Sequence, residues 1–171
     1  MSKVTLGLSA ILGSTTELNS AANAFKETNY TRFGLTYQDT AAMNTEDGET
    51  TEFYSEEEDD AIDDITKPGK TTFSFSIMDP DLNTLKRLFG GEIASDVYAY
   101  PDVVIECVES LIITPRKGLA FHLSRAKIKS KINGEFSKKG LLLIECTATA
   151  TKPSTTGVRK MYVKKITAAA S

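Results

Sequence analysis

Residues 67–91 change from strand to helix periodicity within one short stretch, KPGKTTFSFSIMDPDLNTLKRLFGG. Apolar residues from Phe73 to Ile77 alternate with Thr and Ser, and this period of two predicts a half-buried strand. Asp79 is expected to cap a helix that begins at Pro80, because a proline at the first helical position sacrifices no hydrogen bond. Leucines recur at helical spacing until a Gly-Gly pair ends the helix. Such a short helix is marginal alone, so it must pack against a sheet.

Seven further segments of the chain are predicted to form strands. Alternating or β-rich composition places them at residues 4–12, 31–37, 50–54, 102–114, 119–133, 141–151 and 158–166. Residues 92–100 are expected to be a connector and residues 116–118 a turn. The apolar face of residues 119–133 switches near Ser124, which predicts a bulge or a passage between two sheets. About seven to nine strands and one short α-helix favour a mainly β fold, a two-sheet β sandwich or open barrel, in a single domain over residues 1–171.

The charges are unevenly distributed along the chain, although the net charge is only −3. Residues 39–64 contain 12 of the 23 acidic residues and neither Lys nor Arg, whereas residues 114–171 contain 13 of the 20 basic residues. Asp47-Gly48 is a strong turn pair within the acidic stretch, so residues 39–64 are predicted to be a protruding hairpin or loop. This stretch could be a solvated loop, a calcium-binding loop with atypical spacing, or a contact loop.

No catalytic or cofactor-binding motif is present, and we expect neither an enzyme nor a cofactor or metal site. His122 is the single histidine, too few for a His-rich metal site. Cys107 and Cys146 lie in apolar strand patterns, which favours two buried thiols over a disulfide. No apolar run approaches the roughly 20 residues of a membrane helix, and residues 4–12 alternate like a strand rather than a signal peptide. We therefore expect no membrane partner.

A row of basic residues occupies odd positions of the strand predicted at residues 119–133. The row consists of Arg125, Lys127, Lys129 and Lys131. It could follow a phosphate backbone, but single-strand binders interleave aromatic residues for base stacking, and none lies within this row. We expect it to be a solvated or inter-subunit face. A soluble ligand- or nucleic-acid-binding β barrel is the alternative from a different class of protein.

Three segments resemble the major tail tube proteins of phages with long, non-contractile tails, the siphophage tail tube family. They are the strand–DPD–helix–GG stretch at residues 67–91, TPRKGLAFHLSRAKI at 114–128 and LLLIECTATATKP at 141–153. With the length and strand order, the resemblance covers nearly the whole chain. It implies a structural protein of the phage virion, assembled in the host cytoplasm, that forms six-fold rings stacked into a hollow tube. The inner tube of a contractile tail or injection machine shares this fold and is the nearest alternative.

The resemblance also implies how copies and partners meet. Strands of each subunit join into one ring-wide barrel with the helix outside, and the hexameric rings stack helically. The implied partners are other copies of the chain, the tape measure protein, and the tail terminator and distal tail proteins. Double-stranded DNA would pass through the tube without specific binding.

In this family the loop between early strands bridges to the next ring, and residues 39–64 occupy its position. The acidic contact residues are expected to be Glu56, Glu57, Glu58, Asp59 and Asp60, and the basic ones Arg116, Lys117, Lys138 and Lys139. A lumen lined by lysines would bind phosphates and slow the DNA. The lumen-facing candidates are therefore Glu106, Glu145, Thr147 and Thr149 rather than Lys127, Lys129 or Lys131.

Overall fold

The computed structural model describes residues 4–166. The small-residue tail predicted at residues 167–171 lies outside the described residues. Strands account for 52% of the structure and helix for 7%, which confirms the mainly β fold class with one short α-helix. The main sheet is strongly curled into a half-barrel, in keeping with the expected β sandwich or open barrel.

Eleven strands and one α-helix follow one another within residues 4–166. They are β1 (Leu6–Ser14), β2 (Thr31–Arg32), β3 (Ala42–Thr45), β4 (Glu49–Tyr54), β5 (Ala61–Lys67), β6 (Thr71–Ile77), α1 (Leu82–Phe89), β7 (Glu92–Ala94), β8 (Val97–Ala99), β9 (Cys107–Gly134), β10 (Leu142–Ala150) and β11 (Met161–Ile166). Seven strands form the curled sheet in the order β2-β1-β9-β10-β6-β3, and β11 pairs with β9 beside this path. Two separate two-stranded ribbons are formed by β4 with β5 and by β7 with β8.

The longest strand of the sheet is β9, which runs for 28 residues. Successive parts of this strand pair with β1, with β11 and with β10. The turn predicted at residues 116–118 does not interrupt the strand, because strand pairing continues through these residues. A bulge in β1 between Leu8 and Ala10 lies opposite Pro115, which has no N–H to donate to the ladder. The bulge therefore allows the strand to pass through a proline that would otherwise end it.

The long strand nevertheless folds back on itself. The Ser110 hydroxyl donates a hydrogen bond to the Ser124 carbonyl at 2.6 Å. These residues are 14 positions apart and would be separated by about 46 Å in a straight strand. The switch of the apolar face near Ser124 is confirmed, because the core residues change from Leu123 to Ala126 and Ile128 across it. The bend lets the two halves of β9 enclose one core.

The helix is capped by Asp81 rather than by the predicted Asp79. The Asp81 carboxylate accepts a hydrogen bond from the Thr84 backbone N–H at 2.7 Å, and this bond lowers the pKa of Asp81. Asp79 instead accepts from the backbone N–H of Leu35, which ties the start of α1 to the connection between β2 and β3. The predicted end of the helix is confirmed, because Gly90 follows it with a φ of +82°, a conformation that favours glycine.

The helix is fixed to the sheet by a buried ion pair. Arg87 donates two hydrogen bonds of 2.7 Å to the Glu109 carboxylate on β9, and the Glu109 side chain is only 1% exposed. The Arg87 guanidinium also lies 3.9 Å from the centroid of the Phe33 ring. Leu88 and Phe89 complete the contact by entering the core cluster. The predicted packing of a short helix against the sheet is therefore confirmed.

Three other elements differ from the sequence prediction. The strand predicted at residues 31–37 is reduced to the two residues of β2, and Gly34 shortly after it has a φ of +125°. Residues 92–100 are not a plain connector but contain the β7–β8 ribbon, whose two turn residues have positive φ. The strand predicted at residues 102–114 begins only at Cys107.

Candidate assembly surfaces

The acidic ribbon, defined here as residues 49–67, is a hairpin formed by β4 and β5. The two strands pair with each other, and every residue of both is exposed. The ladder continues that of β3 and β6 without a change of register. Thr45 pairs with Thr71, and Glu49 pairs with Lys67 four residues further along both strands. The ribbon is therefore an extension of the curled sheet that protrudes beyond the core.

The ribbon leaves the sheet through a narrow neck. The Glu46 backbone N–H donates to the Lys70 carbonyl at 2.8 Å. A side chain at Gly69 would clash with the backbone carbonyl of Glu46, so the close approach of the two strands requires glycine there. The predicted turn pair at residues 47–48 lies in this neck, and the chain reverses instead at residues 55–60. The expected acidic contact residues are all exposed in this tip: Glu56, Glu57, Glu58, Asp59 and Asp60.

Most charged and apolar side chains of the acidic ribbon have no matching partner within it. The ribbon contains nine carboxylates and one basic side chain, Lys67, which lies opposite Glu49. Glu52 lies directly opposite Asp64, and like charges in this position destabilise a hairpin. Four large apolar side chains are exposed along it: Phe53, Tyr54, Ile62 and Ile65. None of the ion pairs formed within residues 4–166 involves the ribbon. A two-stranded hairpin is marginally stable in water, so a partner with basic and apolar groups would stabilise the ribbon.

The four expected basic contact residues form two separate sites. Arg116 and Lys117 lie where the partner of β9 changes from β1 to β11, and Lys117 pairs with Leu6 of β1. Lys138 and Lys139 are exposed in the loop between β9 and β10. Most of the second half of β9 separates the two pairs along the chain. The structure therefore does not bring all four residues into one basic patch.

The expected lumen residues share a surface with the lysines that were expected to lie elsewhere. Three cross-strand pairs join the two sets: Lys131 with Glu145, Lys129 with Thr147 and Lys127 with Thr149. Directly paired residues of antiparallel strands project from the same face of a sheet. The expectation that one set lines the lumen and the other does not is therefore wrong. We name this common surface the polar face.

The charges of the polar face are largely paired with one another. Lys131 Nζ lies 2.8 Å from a carboxylate oxygen of Glu145, and Lys127 Nζ lies 3.1 Å from one of Glu106. Hydrogen bonds from Lys131 and then from Asn133 lower the pKa of Glu145. Three Ser and Thr residues of β6 pair with β10 and extend the same face. The polar face is thus rich in hydroxyl groups, and Lys129 is the one of its three lysines without an ion pair within residues 4–166.

An open groove of about 650 Å³ lies along the seam where the half-barrel is not closed. It runs between β1 and β2 on one side and the segment leading into β3 on the other, and we name it the seam groove. Phe73 and Ile113 form its buried floor, and Leu35 is exposed at its mouth. Arg32 and Arg116 lie on its rim. Sequence patterns do not reveal this groove, because its walls come from segments far apart in the chain.

The cysteines and the histidine are buried. Cys107 and Cys146 are free thiols, as predicted. Burial raises the pKa of Cys107 to about 12 and that of Cys146 to about 11, so both stay protonated at neutral pH. His122 Nε2 lies 3.0 Å from the Tyr30 hydroxyl, and burial lowers the pKa of His122 to about 4.

Within residues 4–166, no three His, Cys, Asp or Glu side chains are grouped to hold a metal ion, and no helix has the length and apolar character to cross a membrane.

The fold and these surfaces define a class of protein: a mainly β protein with unpaired sheet edges and one charged protrusion. Comparison with known proteins finds no family model that matches the chain and no curated protein that matches its sequence. The acidic ribbon, the two basic sites, the polar face and the seam groove are the surfaces on which a role can be argued.

Proposed function

We propose that the chain is a structural subunit of a phage virion tail tube, which self-assembles into stacked hexameric rings and forms the hollow conduit for ejection of double-stranded DNA. The observation that carries this proposal is the acidic ribbon. It has nine carboxylates, exposed apolar side chains and no ion pair within residues 4–166. The ribbon also occupies the position that the resemblance assigns to the loop between rings.

In this proposal the acidic ribbon docks on the next ring. Its tip carboxylates meet one of the two basic sites there, formed by Arg116 with Lys117 or by Lys138 with Lys139. Such a contact joins different surfaces of two copies, so each added ring presents a new ribbon and the assembly propagates. Because attraction between exposed charges is screened by salt, ring stacking should weaken as the ionic strength rises.

The rings close through the unpaired edges of the curled sheet. The sheet ends at β2 and at β3, and within residues 4–166 β11 pairs with β9 alone. Unpaired strand edges present backbone N–H and carbonyl groups that a neighbouring copy can satisfy. Six half-barrels joined in this way give the ring-wide barrel, with α1 on the outside.

The polar face lines the lumen in this arrangement. Two of its three lysines are paired with Glu106 and Glu145, so little positive charge is left to hold phosphates. The hydroxyl groups around them offer neutral contacts. Such a wall lets double-stranded DNA pass, and it encloses the tape measure protein before ejection. The tail terminator and distal tail proteins would cover the two ends of the tube.

Sedimentation velocity of the purified protein, at two concentrations and two salt levels, tests this function. We expect rings and longer assemblies to replace monomers as concentration rises, and high salt to reverse the change. A species that stays monomeric and binds DNA or a small molecule tightly would instead indicate a soluble binding barrel. The inner tube of a contractile tail would assemble in the same way, and a sheath gene beside the coding sequence would distinguish it.

A further inference from the structure

The segment YPDVVIE at residues 100–106 is an exposed apolar stretch that belongs to no strand. The three consecutive aliphatic residues from Val103 to Ile105 are all exposed, and Val103 is 80% exposed. Exposed Asp102 and Glu106 flank them on either side. Single exposed apolar residues are ordinary, but a run of them bordered by charges indicates a contact site. We name residues 100–106 the donor segment.

The seam groove is complementary to the donor segment, with an apolar floor and a positively charged rim. Buried aromatic and aliphatic side chains form its floor, and Leu35 is 49% exposed at its mouth. Arg32 and Arg116 contribute two positive charges to the rim, against the single carboxylate of Asp39. None of the residues that line the groove comes from the donor segment, so the chain does not fill its own groove.

We propose that the donor segment of one copy occupies the seam groove of a neighbouring copy, and that this contact adds to the strand pairing that closes a ring. The aliphatic residues would cover the apolar floor of the groove. Asp102, which forms no ion pair within residues 4–166, would meet Arg32 on the rim. This inference rests on the proposed tail tube function and specifies which surfaces of adjacent subunits meet.

The contact has the asymmetry that a ring requires. The donor segment lies beside the end of α1, where Ile105 approaches Gly90, whereas the seam groove lies between the two ends of the curled sheet. One copy therefore donates with one surface and accepts with another, which is the head-to-tail arrangement that closes into a ring. Insertion would also shield the groove-facing parts of β1 and β3, which border the open seam.

Disulfide cross-linking tests the contact. Val103→Cys and Leu35→Cys are prepared as separate proteins, mixed and allowed to assemble under mild oxidation. We expect linked dimers that contain one of each, because both positions are exposed and the native cysteines are buried. Phe136→Cys, 94% exposed in the loop between β9 and β10, replaces Val103→Cys in the control and should give at least tenfold fewer dimers. Assemblies that form without the 103–35 link would overturn the inference.

A second variant tests whether assembly needs the donor segment. Val103→Asp/Val104→Asp places two charges against the apolar floor of the groove, while the exposed positions leave the fold of the monomer intact. We expect the concentration needed for assembly to rise at least tenfold. Far-ultraviolet circular dichroism and urea denaturation should match the unmodified protein. Assembly at an unchanged concentration would contradict the proposed contact.

A labelled peptide of residues 100–106 tests the groove on dilute monomer, without requiring tube formation. We expect saturable binding that Leu35→Asp weakens at least tenfold, and no binding of a peptide with the same residues in scrambled order. Peptide binding by a protein that never assembles would support the groove inference and contradict the tail tube proposal. Tubes formed by a protein that neither binds the peptide nor cross-links would support the tail tube proposal and contradict the groove inference.

Discussion

Neutralising the tip of the acidic ribbon should weaken assembly without disturbing the fold. The variant Glu56→Gln/Glu57→Gln/Glu58→Gln removes three carboxylates that are exposed and make no ion pair within residues 4–166. The monomer therefore loses no charged contact, and its urea denaturation should be unchanged. What is lost is the attraction of the tip for a basic site on the next ring.

The size of this effect follows from the exposure of the charges. An exposed ion pair changes an association constant by about twofold, so three lost pairs should raise the concentration at which assembly begins by about tenfold. The Debye length falls from about 10 Å at 0.1 M salt to about 3 Å at 1 M salt. The difference between the variant and the unmodified protein should therefore be clear at low salt and absent at 1 M salt.

Pelleting of assemblies over a concentration series measures this threshold. The matched control is Glu27→Gln/Glu92→Gln/Glu135→Gln, which also removes three exposed carboxylates but leaves the ribbon intact. Both variants change the formal net charge from −3 to 0, so a general charge effect would move both thresholds equally. Equal thresholds for the two variants at low salt would refute the docking role of the tip.

Three further predictions concern the fold that supports these surfaces. Arg87→Met should lower the free energy of unfolding by about 3–5 kcal/mol in urea denaturation, because it leaves the buried Glu109 carboxylate unpaired, and a loss below about 1 kcal/mol would contradict this. The free energy of unfolding should fall by at most about 3 kcal/mol as pH drops from about 6.5 to 4, because the unfolded state protonates His122 before the folded state does. In thermal unfolding across this pH range, His122→Gln should not show this fall in stability. Gly69→Ala should abolish amide hydrogen-exchange protection in β4 and β5 but not in β9, because the new Cβ clashes with the Glu46 carbonyl; retained protection in the ribbon would show that the neck tolerates a side chain.

Elements whose form depends on neighbouring residues can be predicted from the sequence. The period of two in β6 and the Gly-Gly pair after α1 act locally, and both appear as expected. The residue that caps the helix, in contrast, depends on a distant part of the chain. Asp79 and Asp81 flank Pro80 on either side, and the local pattern favours the first. The structure uses Asp79 to accept from the distant Leu35 backbone, so Asp81 becomes the cap.

Features that depend on pairing between distant strands cannot be read from one segment. Pro115 is compatible with a continuous β9 because β1 has a bulge opposite it, which nothing in the sequence of β9 reveals. The polar face likewise depends on the register of β10 against β9. A slip of one residue would move Glu145 to the opposite face from Lys131 and separate the two sets that the structure joins. Two features that the sequence prediction missed do have a pattern within one segment. They are the alternation in EIASDVYA, which forms β7 and β8, and the aliphatic run of the donor segment.

Negative-stain electron microscopy of the purified protein, at high concentration and low salt, tests whether the chain forms a tube. We expect hollow tubes or six-fold rings, which shorten or disappear when the salt concentration is raised. A field of separate monomers under the same low-salt conditions would contradict it.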